Sequence, residues 1–359
     1  MALSCPRCRA PIPVPGPGGS PPAGPLVCPA CRTVLAVELV VRNAPAGVPA
    51  APSVQSHTAV PRSPATRTSA GDGDPEVAAL RARIHTVLQG DRDDIPVLNR
   101  VALKLRALMQ DPRAHAAEVA RFIHSDQALA TRIMRLANSA YYAGFGPVPD
   151  LGQAIRRVGF RAVECVIVAA STQALYRPRT AAEAGLMSGL WDHALAVATA
   201  AKRILRDARR ADPEHGFLAG LLHDVGRTMA LRVLGEANGR PAGERKVLPA
   251  ERLLRLIDPV HAEVGGLLLE KWAFGPEVVM AARSHHSPAE IPDAESIPLA
   301  VALGDLLATR LGLDVGELPA GAAGSEGLAR RLRLDPAQVA TLEKELADLH
   351  ADMKRLLAA

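Results

Sequence analysis

The chain has 359 residues, a formal net charge of +5, 48% hydrophobic residues and only 3% aromatic residues. A chain of this length exceeds one average domain and can bury a sizeable core, which must be built mainly from Ala, Leu and Val. The charge is a dispersed excess of 42 basic over 37 acidic residues, so the composition argues against a basic nucleic-acid-binding tail and does not favour nucleic acid as a partner.

The N-terminal sequence shows no basic segment followed by an apolar stretch, so a secretory signal peptide is not predicted. No uninterrupted apolar run approaches the roughly 20 residues that a membrane-spanning helix needs. We therefore expect a soluble, cytoplasmic protein without a membrane span. Disulfides are rare in that reducing compartment, which affects how the cysteines are interpreted.

Four of the five cysteines lie in the first 31 residues, as the Cys-x-x-Cys pairs Cys5, Cys8 and Cys28, Cys31. Two such pairs about twenty residues apart are typical of a zinc ribbon, with a redox dithiol or free thiols as alternatives. Four thiolates complete a tetrahedral Zn²⁺ site and leave no open position, so the predicted zinc is structural. We predict a four-cysteine zinc ribbon over residues 1–41 that stabilises or docks and does not catalyse.

The rest of the chain divides by composition into a linker and helical segments. Residues 42–74 are rich in Pro, Ala and Ser without an apolar period, which predicts a flexible, disordered linker. Helical periodicity begins near Pro75, and we predict an all-helical domain over residues 75–313 with a C-terminal helical extension over 314–359. Because no alternating strand pattern is evident beyond the ribbon, the predicted fold class is mainly α.

Within the helical domain, apolar residues recur at helical spacing in successive segments. A helix in the segment Ser125–Ala140 would place Leu129 and Ile133 on one face and end at Asn138. Further helices are expected over Val163–Leu175, from Leu190 to Ile204, over Pro276–His286, over Leu299–Leu311 and over Leu332–Leu357. Cys165, inside one of them, is expected to be an inert core thiol.

The stretch Phe217–Met229 is the central motif of the chain. Its apolar run ends in His223 and Asp224, and Gly226 follows almost at once. A helix with a buried apolar side would deliver this imidazole and carboxylate to one place, and both groups are metal ligands. His-Asp pairs are common, so the pair alone is equally compatible with a helix that ends in two polar residues.

Other polar residues in the same half strengthen the metal hypothesis. Five histidines are predicted to lie near helix ends, and two aspartates add carboxylates: His193, His223, His261, His285, His286, Asp224 and Asp305. Taken singly, His193 fits a core histidine, and Asp305 fits an N-cap or a packed polar residue. Together they form the ligand set of Fe, Mn, Mg, Ni or Zn, and two such ions could polarise a phosphoryl group for hydrolysis.

The order of these residues resembles the metal-dependent phosphohydrolases of the HD superfamily, and the closest match is to one branch of it. Five motifs look like the HDOD domain, the HD-related output domain of bacterial signalling proteins: Asp126–Ala130, Leu136–Tyr142, Gly152–Ile155 with Gly159 following, Gly220–Gly226 and His261–Gly265. The resemblance covers roughly Ile95 to Arg310. It implies an all-helical fold and a regulatory role, since HDOD domains are generally regarded as non-catalytic and many have lost their HD ligands.

This chain retains the full HD ligand set. Carried over by position, the implied metal ligands are His193, His223, Asp224, His261, His285, His286 and Asp305. They would form a mono- or binuclear Fe, Mn, Ni or Mg site. The resemblance implies a signalling protein or a small nucleotide ligand as the partner.

Two departures argue against the activity of the catalytic relatives, the HD-GYP phosphodiesterases. Arg227 stands where those enzymes usually have Lys, and His286 is followed by Ser287–Glu290 instead of a Gly-Tyr-Pro segment. Arg227 keeps the positive charge, so it would stabilise phosphoryl charge if the chain is an enzyme. We expect a non-catalytic binding or output module. The alternative is a metal-dependent nucleotide or cyclic-dinucleotide phosphodiesterase.

A nucleic-acid-associated regulator that uses the ribbon is a third hypothesis. The ribbon segment carries only Arg7, Arg9 and Arg32 as basic residues up to Cys31 and just beyond. It also offers no aromatic side chain on which a base could stack. The composition therefore gives this hypothesis the least support.

Overall fold

The computed structural model describes four short strands near the N-terminus and the helical remainder of the chain with gaps. The described residues beyond the strands are 74–90, 102, 104–105, 108, 115–139, 142, 146–180, 183–236, 248–313 and 324–357. The chain divides into two compact units, Met1–Thr66 and Arg67–Ala359.

The first unit contains two antiparallel hairpins. Strand β1 (Leu3–Ser4) pairs with β2 (Pro11–Ile12), and β3 (Leu26–Val27) pairs with β4 (Val34–Leu35). In sequence, one Cys-x-x-Cys pair lies between the two strands of each hairpin. The cysteines themselves (Cys5, Cys8, Cys28 and Cys31) lie outside the described residues, as does the predicted linker up to residue 73, so the zinc ribbon remains a prediction.

The second unit is helical throughout its described residues, which confirms the predicted mainly-α class. The helices in chain order are α1 (Pro75–Gln89), α2 (Ala116–Ile123), α3 (Gln127–Ala137), α4 (Leu151–Gln173), α5 (Glu183–Ala208), α6 (Pro213–Leu222), α7 (Val225–Glu236), α8 (Ala250–Ile257), α9 (His261–Lys271), α10 (Pro276–Ser284), α11 (Ser296–Arg310), α12 (Ser325–Leu332) and α13 (Pro336–Leu357). Single 3₁₀ turns cover Ala174–Tyr176 and Pro288–Glu290.

Several helices begin at the residues that their sequence signals predict. Asp74 precedes Pro75 at the start of α1, and Asp212 precedes Pro213 at the start of α6. In α6 the Asp212 carboxylate accepts a hydrogen bond from the backbone N–H of Glu214 at 3.0 Å. A carboxylate at this position satisfies an amide without a helical partner, and proline loses nothing at the first helical position.

Two apolar cores divide the second unit into lobes. The N-lobe is formed by α2, α3 and most of α4 around Ile123, Ile133 and Ile155. The C-lobe is formed by α1, α5 to α13 and the end of α4, with Leu195 and Leu222 in its core. Helix α4 contributes side chains to the cores of both lobes, so it connects the two lobes within one continuous element.

The structure corrects three predicted helix starts. Helix α5 begins at Glu183 instead of Leu190, and α11 begins at Ser296 instead of Leu299. His193 therefore lies inside a long helix and not near its end, and Asp305 is no N-cap. Both helices are buried on most of their circumference, so their apolar pattern has no polar face that would show where the helix begins.

The third correction concerns the helix predicted over Val163–Leu175. The span Leu151–Gln173 contains two helical segments that meet at Gly159, so the predicted helix begins directly after Gly159. The backbone of Gly159 (φ 82°, ψ 161°) is not helical and forms the kink between the two segments. Only glycine adopts this conformation readily.

One described helical segment, Leu151–Tyr176, is long and apolar enough to cross a membrane. More than half of its most apolar window is buried against the rest of the domain. A core helix of a globular domain has these same properties, and α4 contributes to the cores of both lobes.

Substituting Gly159 tests the cost of the kink. Gly159→Ala should lower the free energy of unfolding by roughly 1–3 kcal/mol, because a side chain disfavours this backbone conformation. The matched control is Gly185→Ala in α5, where an added Cβ meets nothing within 4 Å and alanine should stabilise the helix by up to about 1 kcal/mol. Urea denaturation monitored by circular dichroism measures both, and equal effects of the two substitutions would refute the argument.

Candidate metal centre

The seven side chains predicted as ligands converge at one place in the C-lobe. His193 comes from the middle of α5, and Asp305 comes from α11. The other five lie at helix ends: His223 and Asp224 between α6 and α7, His261 at the start of α9, and His285 and His286 directly after α10. The side chain of His286 is 26% exposed, whereas the other six are almost completely buried. The tertiary structure thus assembles the whole predicted set.

The donor atoms form two separate triads, and a third triad of His223, Asp224 and His285 overlaps both. In the first, His193 Nε2 lies 3.3 Å from His223 Nε2 and 3.2 Å from Asp305 Oδ1. In the second, His261 Nε2 lies 3.3 Å from His285 Nε2 and 3.1 Å from His286 Nε2. Each triad offers one atom per residue within 4.8 Å of the others, which is close enough for all three to hold one ion.

Asp224 lies between the two groups. Its Oδ1 atom is 3.3 Å from His261 Nε2 and 3.4 Å from His285 Nε2. Its Oδ2 atom is 3.6 Å from His223 Nε2 and 3.7 Å from His193 Nε2. One oxygen therefore faces each group, which is the arrangement of a carboxylate that bridges two cations.

Backbone carbonyls determine which nitrogen of each buried imidazole faces the centre. The Nδ1 atom of His193 donates to the carbonyl of Leu313 at 2.9 Å, and that of His223 donates to Gly220 at 2.7 Å. The two other histidines repeat the pattern: His261 Nδ1 donates to Asp258 at 2.6 Å and His285 Nδ1 donates to Ala282 at 2.9 Å. A carbonyl can only accept, so each Nδ1 carries a proton and each Nε2 faces inward. In a neutral imidazole that Nε2 offers a lone pair, whereas His193 Nε2 lies 3.2 Å from Asp305 Oδ1 and shares a proton with it.

This arrangement suits a cation. His261 Nε2 and His285 Nε2 face each other at 3.3 Å, and two lone pairs at that distance cannot form a hydrogen bond. Among the described residues, neither oxygen of the buried Asp224 accepts a hydrogen bond of good geometry, and the nearby Arg227, whose Nε atom lies 3.1 Å from Oδ2, supplies one positive charge. Buried polar groups with poorly satisfied hydrogen bonds are costly. Imidazole and carboxylate groups in this number fit a divalent metal such as Fe, Mn, Ni or Zn.

The electrostatics keep most of the imidazoles neutral and the carboxylates ionised. Burial lowers the pKa of His223 to about 4 and that of His286 to about 3. Burial also holds the pKa of His261 well below its usual value. Burial alone would raise the pKa of Asp224, but the Arg227 charge and the neighbouring histidines lower it well below normal. These are the protonation states in which the groups bind metal.

His193 and Asp305 behave as a pair. Burial acts to lower the pKa of His193, but its hydrogen bond with the Asp305 carboxylate and that charge raise the pKa above its usual value. The same contact keeps the Asp305 pKa low, although burial alone would raise it. A cation that entered the first group would therefore displace a proton shared by these two residues.

Arg227 lies beside the donors, in the first turn of α7, and its charged end faces two carboxylates. Its Nε atom is 3.1 Å from Asp224 Oδ2, and its Nη1 atom is 3.2 Å from Asp258 Oδ1. The residue is 4% exposed. Because the Asp258 carbonyl also orients His261, Arg227 links the bridging carboxylate to the turn that positions a histidine ligand. This geometry favours a positioning role over contact with a phosphoryl group.

Sequence reasoning missed why glycine follows the His-Asp pair. A Cβ atom at Gly226 would collide with the carbonyl oxygen of His261 and would lie 2.5 Å from the backbone nitrogen of Gly265. Only glycine lets the start of α7 approach the start of α9 this closely. The approach brings His261 to the two residues contributed by the α6–α7 turn. Small residues at both facing positions were the available signal in the sequence.

Comparison with known proteins gives a family match over this region. The family model of the HDOD domain matches residues 95–288, a little over half of the chain. An uncharacterized protein of Treponema pallidum (strain Nichols) is 25% identical over 209 residues, which are 56% of this chain and 39% of that protein. The chain thus spans only about two fifths of that relative.

Two solved structures show the same fold. An HDOD domain protein of unknown function from Geobacter sulfurreducens has a TM-score of 0.58 at 23% identity, covering 78% of this chain and 99% of that one. A protein from Shewanella amazonensis SB2B, called "Putative metal-dependent phosphohydrolase", has a TM-score of 0.62 at 21% identity, covering 79% and 99%. At these identities the likeness concerns the fold alone.

The bridging position of Asp224 predicts that one substitution affects both groups. We expect the centre to hold about two divalent ions per wild-type chain, as in two-metal sites, besides the zinc predicted for the N-terminal cysteines. Asp224→Asn should reduce this to one or none, because the amide is neutral and cannot bridge two cations. Elemental analysis of the purified protein measures this, with Asp207→Asn, a half-buried carboxylate of α5 that pairs with Arg203, as the control. Full metal content in Asp224→Asn would contradict the bridging role.

A second prediction concerns Gly226. Gly226→Ala should weaken metal binding about 10- to 100-fold, because the new methyl group pushes His261 away. This is the range found when residues that orient the metal ligands are substituted. Gly327→Ala in α12, where an added Cβ meets nothing within 4 Å, should leave affinity unchanged. Competition with a chelator gives both affinities. Equal affinity in the two variants would show that the close approach does not matter.

Proposed function

The chain belongs to the HDOD family, and we propose that it is a bacterial signalling protein whose HDOD domain works by binding and not by turnover. The observation that carries this proposal is the closure of the metal centre. Of the seven donors, only His286 has a substantially exposed side chain, and the Nε2 atoms of the four most buried histidines point at one another. A phosphoester substrate needs an open coordination position and room beside it.

Two further features support a binding module. The Arg227 guanidinium faces Asp224 and Asp258, so contact with a phosphate would require it to leave two buried or half-buried carboxylates. The chain also has Ser287–Glu290 after the paired histidines, where the related phosphodiesterases have Gly-Tyr-Pro. In this proposal a divalent cation holds the helices in one arrangement, and a partner protein or a small nucleotide reads that arrangement. The site of action proposed is the cytoplasm.

We assign the N-terminal segment a structural zinc site as part of the same proposal. The support is that each of the two hairpins brackets one Cys-x-x-Cys pair in the sequence. Cysteine pairs in tight turns present two thiolates to one ion, and a segment this short gains its folding free energy from the metal. Its role is stabilisation or docking.

Hydrolysis is the second candidate function. It is favoured by the complete donor set, in which one carboxylate faces two triads, and by the name of the Shewanella amazonensis protein. When bound, two divalent cations supply the charge that polarises a phosphoryl group. His286, at the exposed side of the centre, is where a nucleotide or cyclic-dinucleotide phosphate would first reach the site.

Turnover assays separate the two candidates. We expect the full-length protein, loaded with Mn²⁺, Fe²⁺ or Ni²⁺, to hydrolyse neither nucleotides nor cyclic dinucleotides above the rate without protein. The loading is verified by elemental analysis of the same sample, so that a negative result refers to a filled centre. His223→Ala serves as the matched control. Metal-dependent hydrolysis that His223→Ala abolishes would overturn the binding-module proposal in favour of the enzyme.

A further inference from the structure

Polar contacts between the lobes collect on the first turn of α6. The Tyr142 hydroxyl, on the N-lobe side, donates to Glu214 Oε1 at 2.7 Å, and Lys202 Nζ from α5 lies 2.6 Å from the same oxygen. Cys165 in α4 donates its thiol to the Glu214 carbonyl at 3.2 Å. Arg161 of α4 lies 3.9 Å from Asp212, the residue that caps α6. We call Tyr142, Glu214 and Lys202 the inter-lobe cluster.

In the inter-lobe cluster Lys202 is buried, and Tyr142 and Glu214 are half-buried. The side chain of Lys202 is 7% exposed and that of Glu214 is 17% exposed. Lys202 Nζ also lies 5.4 Å from the centre of the Tyr142 ring and 5.8 Å from that of Phe217. Buried charges must be paired and hydrogen-bonded, and removing one partner is strongly unfavourable. The closed position of the N-lobe therefore depends on where α6 places Glu214.

Helix α6 connects this cluster directly to the metal centre. It has ten residues, about 15 Å at the usual helical rise, with Glu214 in its first turn and His223 and Asp224 directly after its last. It is locked to α5, because a Cβ at Gly220 would lie 2.7 Å from Ala198 Cα. Since α5 carries His193, the α5–α6 pair moves as one body that holds ligands at one end and the cluster at the other.

The two ligand triads belong to different bodies. The first triad comes from the α5–α6 pair and α11, which packs closely on α5 at Gly304. The second triad comes entirely from α9 and the end of α10. Cations bound to both triads and to Asp224 would fix the α5–α6 pair relative to α9 and α10. Without them, these helices are held by packing, as at Gly226 against the start of α9, and the imidazoles that face one another at the centre oppose that packing.

The seam beside the cluster contains a small cleft of about 20 Å³, enough for roughly one water molecule. The cleft is partly open to solvent and is lined by residues of both lobes and by the end of α13, including Arg132, Leu136, Cys165, Glu214 and Leu356. A cleft this small does not admit a reagent of the size of iodoacetamide while the seam is closed. Cys165 lines this cleft yet is only 5% exposed.

We infer that α6 transmits the metal occupancy of the centre to the seam between the lobes. The filled centre holds the α5–α6 pair so that Glu214 binds Tyr142, and loss of metal loosens that contact and opens the seam at Cys165. This inference rests on the proposed metal-dependent function and supplies its regulation. The signal that a partner reads is the position of the N-lobe.

The alkylation rate of Cys165 tests the inference. Burial raises the pKa of this thiol well above its usual value, so it should react slowly while the seam is closed. The full-length protein is treated with iodoacetamide, and mass spectrometry of the peptide containing Cys165 separates it from the four N-terminal cysteines. His261→Ala, or the wild type treated with a chelator, should react about tenfold faster than the metal-loaded wild type, as expected when one buried hydrogen-bonded contact is lost.

Variants of the inter-lobe cluster distinguish metal binding at the centre from the transmission of metal occupancy to the seam. Glu214→Gln and Tyr142→Phe should keep the wild-type metal content, since neither residue touches a ligand, yet react at the fast rate with or without metal. Glu277→Gln is the matched control, because this exposed carboxylate pairs with His215 at 3.7 Å in the turn next to Glu214. It should keep both the slow rate and its metal dependence. Thermal melting confirms that each variant is folded.

The outcomes distinguish the inference from the proposed function. If the wild type binds metal but Cys165 reacts at the same rate with and without it, the inference that α6 transmits metal occupancy is wrong, whereas the proposed metal centre is supported. If Tyr142→Phe, which removes a single hydroxyl, leaves a metal-dependent slow rate intact, the cluster does not carry the coupling. If the wild type binds no metal at all, the proposed function and the inference both fail.

Discussion

The convergence of imidazole nitrogens in the core of the C-lobe is the constraint on which the rest of the structure depends. Four Nε2 atoms are turned inward because backbone carbonyls accept hydrogen bonds from the Nδ1 atoms of the same rings, and Asp224 lies between them. Imidazole nitrogens whose lone pairs face each other in a site without water are unfavourable unless a cation lies among them. The centre thus makes the arrangement of α5, α6, α9, α10 and α11 sensitive to a bound metal.

The composition of the chain is what allows these helices to approach so closely. Only 3% of the residues are aromatic, and the contacts that matter are between small residues. Gly220 lies against Ala198, Gly304 against Ala200, and Gly226 against the start of α9. Side chains of ordinary size at these positions would separate the helix axes, and donor atoms now 3.1–3.7 Å apart would no longer share an ion. Small residues therefore serve the centre as directly as its ligands do.

The proposed binding function rests on a centre that is closed to substrate. The donors lie in the interior of the C-lobe, and the polar contacts to the N-lobe start one helix away, at Glu214. In the inference drawn from this layout, metal binding at the centre would affect the N-lobe through the position of α6. A regulatory domain needs an element with two arrangements. A cation that binds one arrangement of the helices more tightly than the other shifts the equilibrium between them by that difference in binding free energy.

The sequence by itself determined the helical class, several helix starts and the identity of all seven clustered donors, because periodicity, caps and rare residue types are local signals. Tertiary structure alone decided that His193 and Asp305 lie inside helices, that Asp224 separates two triads, and that Arg227 faces Asp258. It also decided that Tyr142 meets Glu214 from 72 residues away. These facts depend on how buried helices pack against one another, and a helix that is apolar on all sides does not encode in its own residues which neighbour it will face.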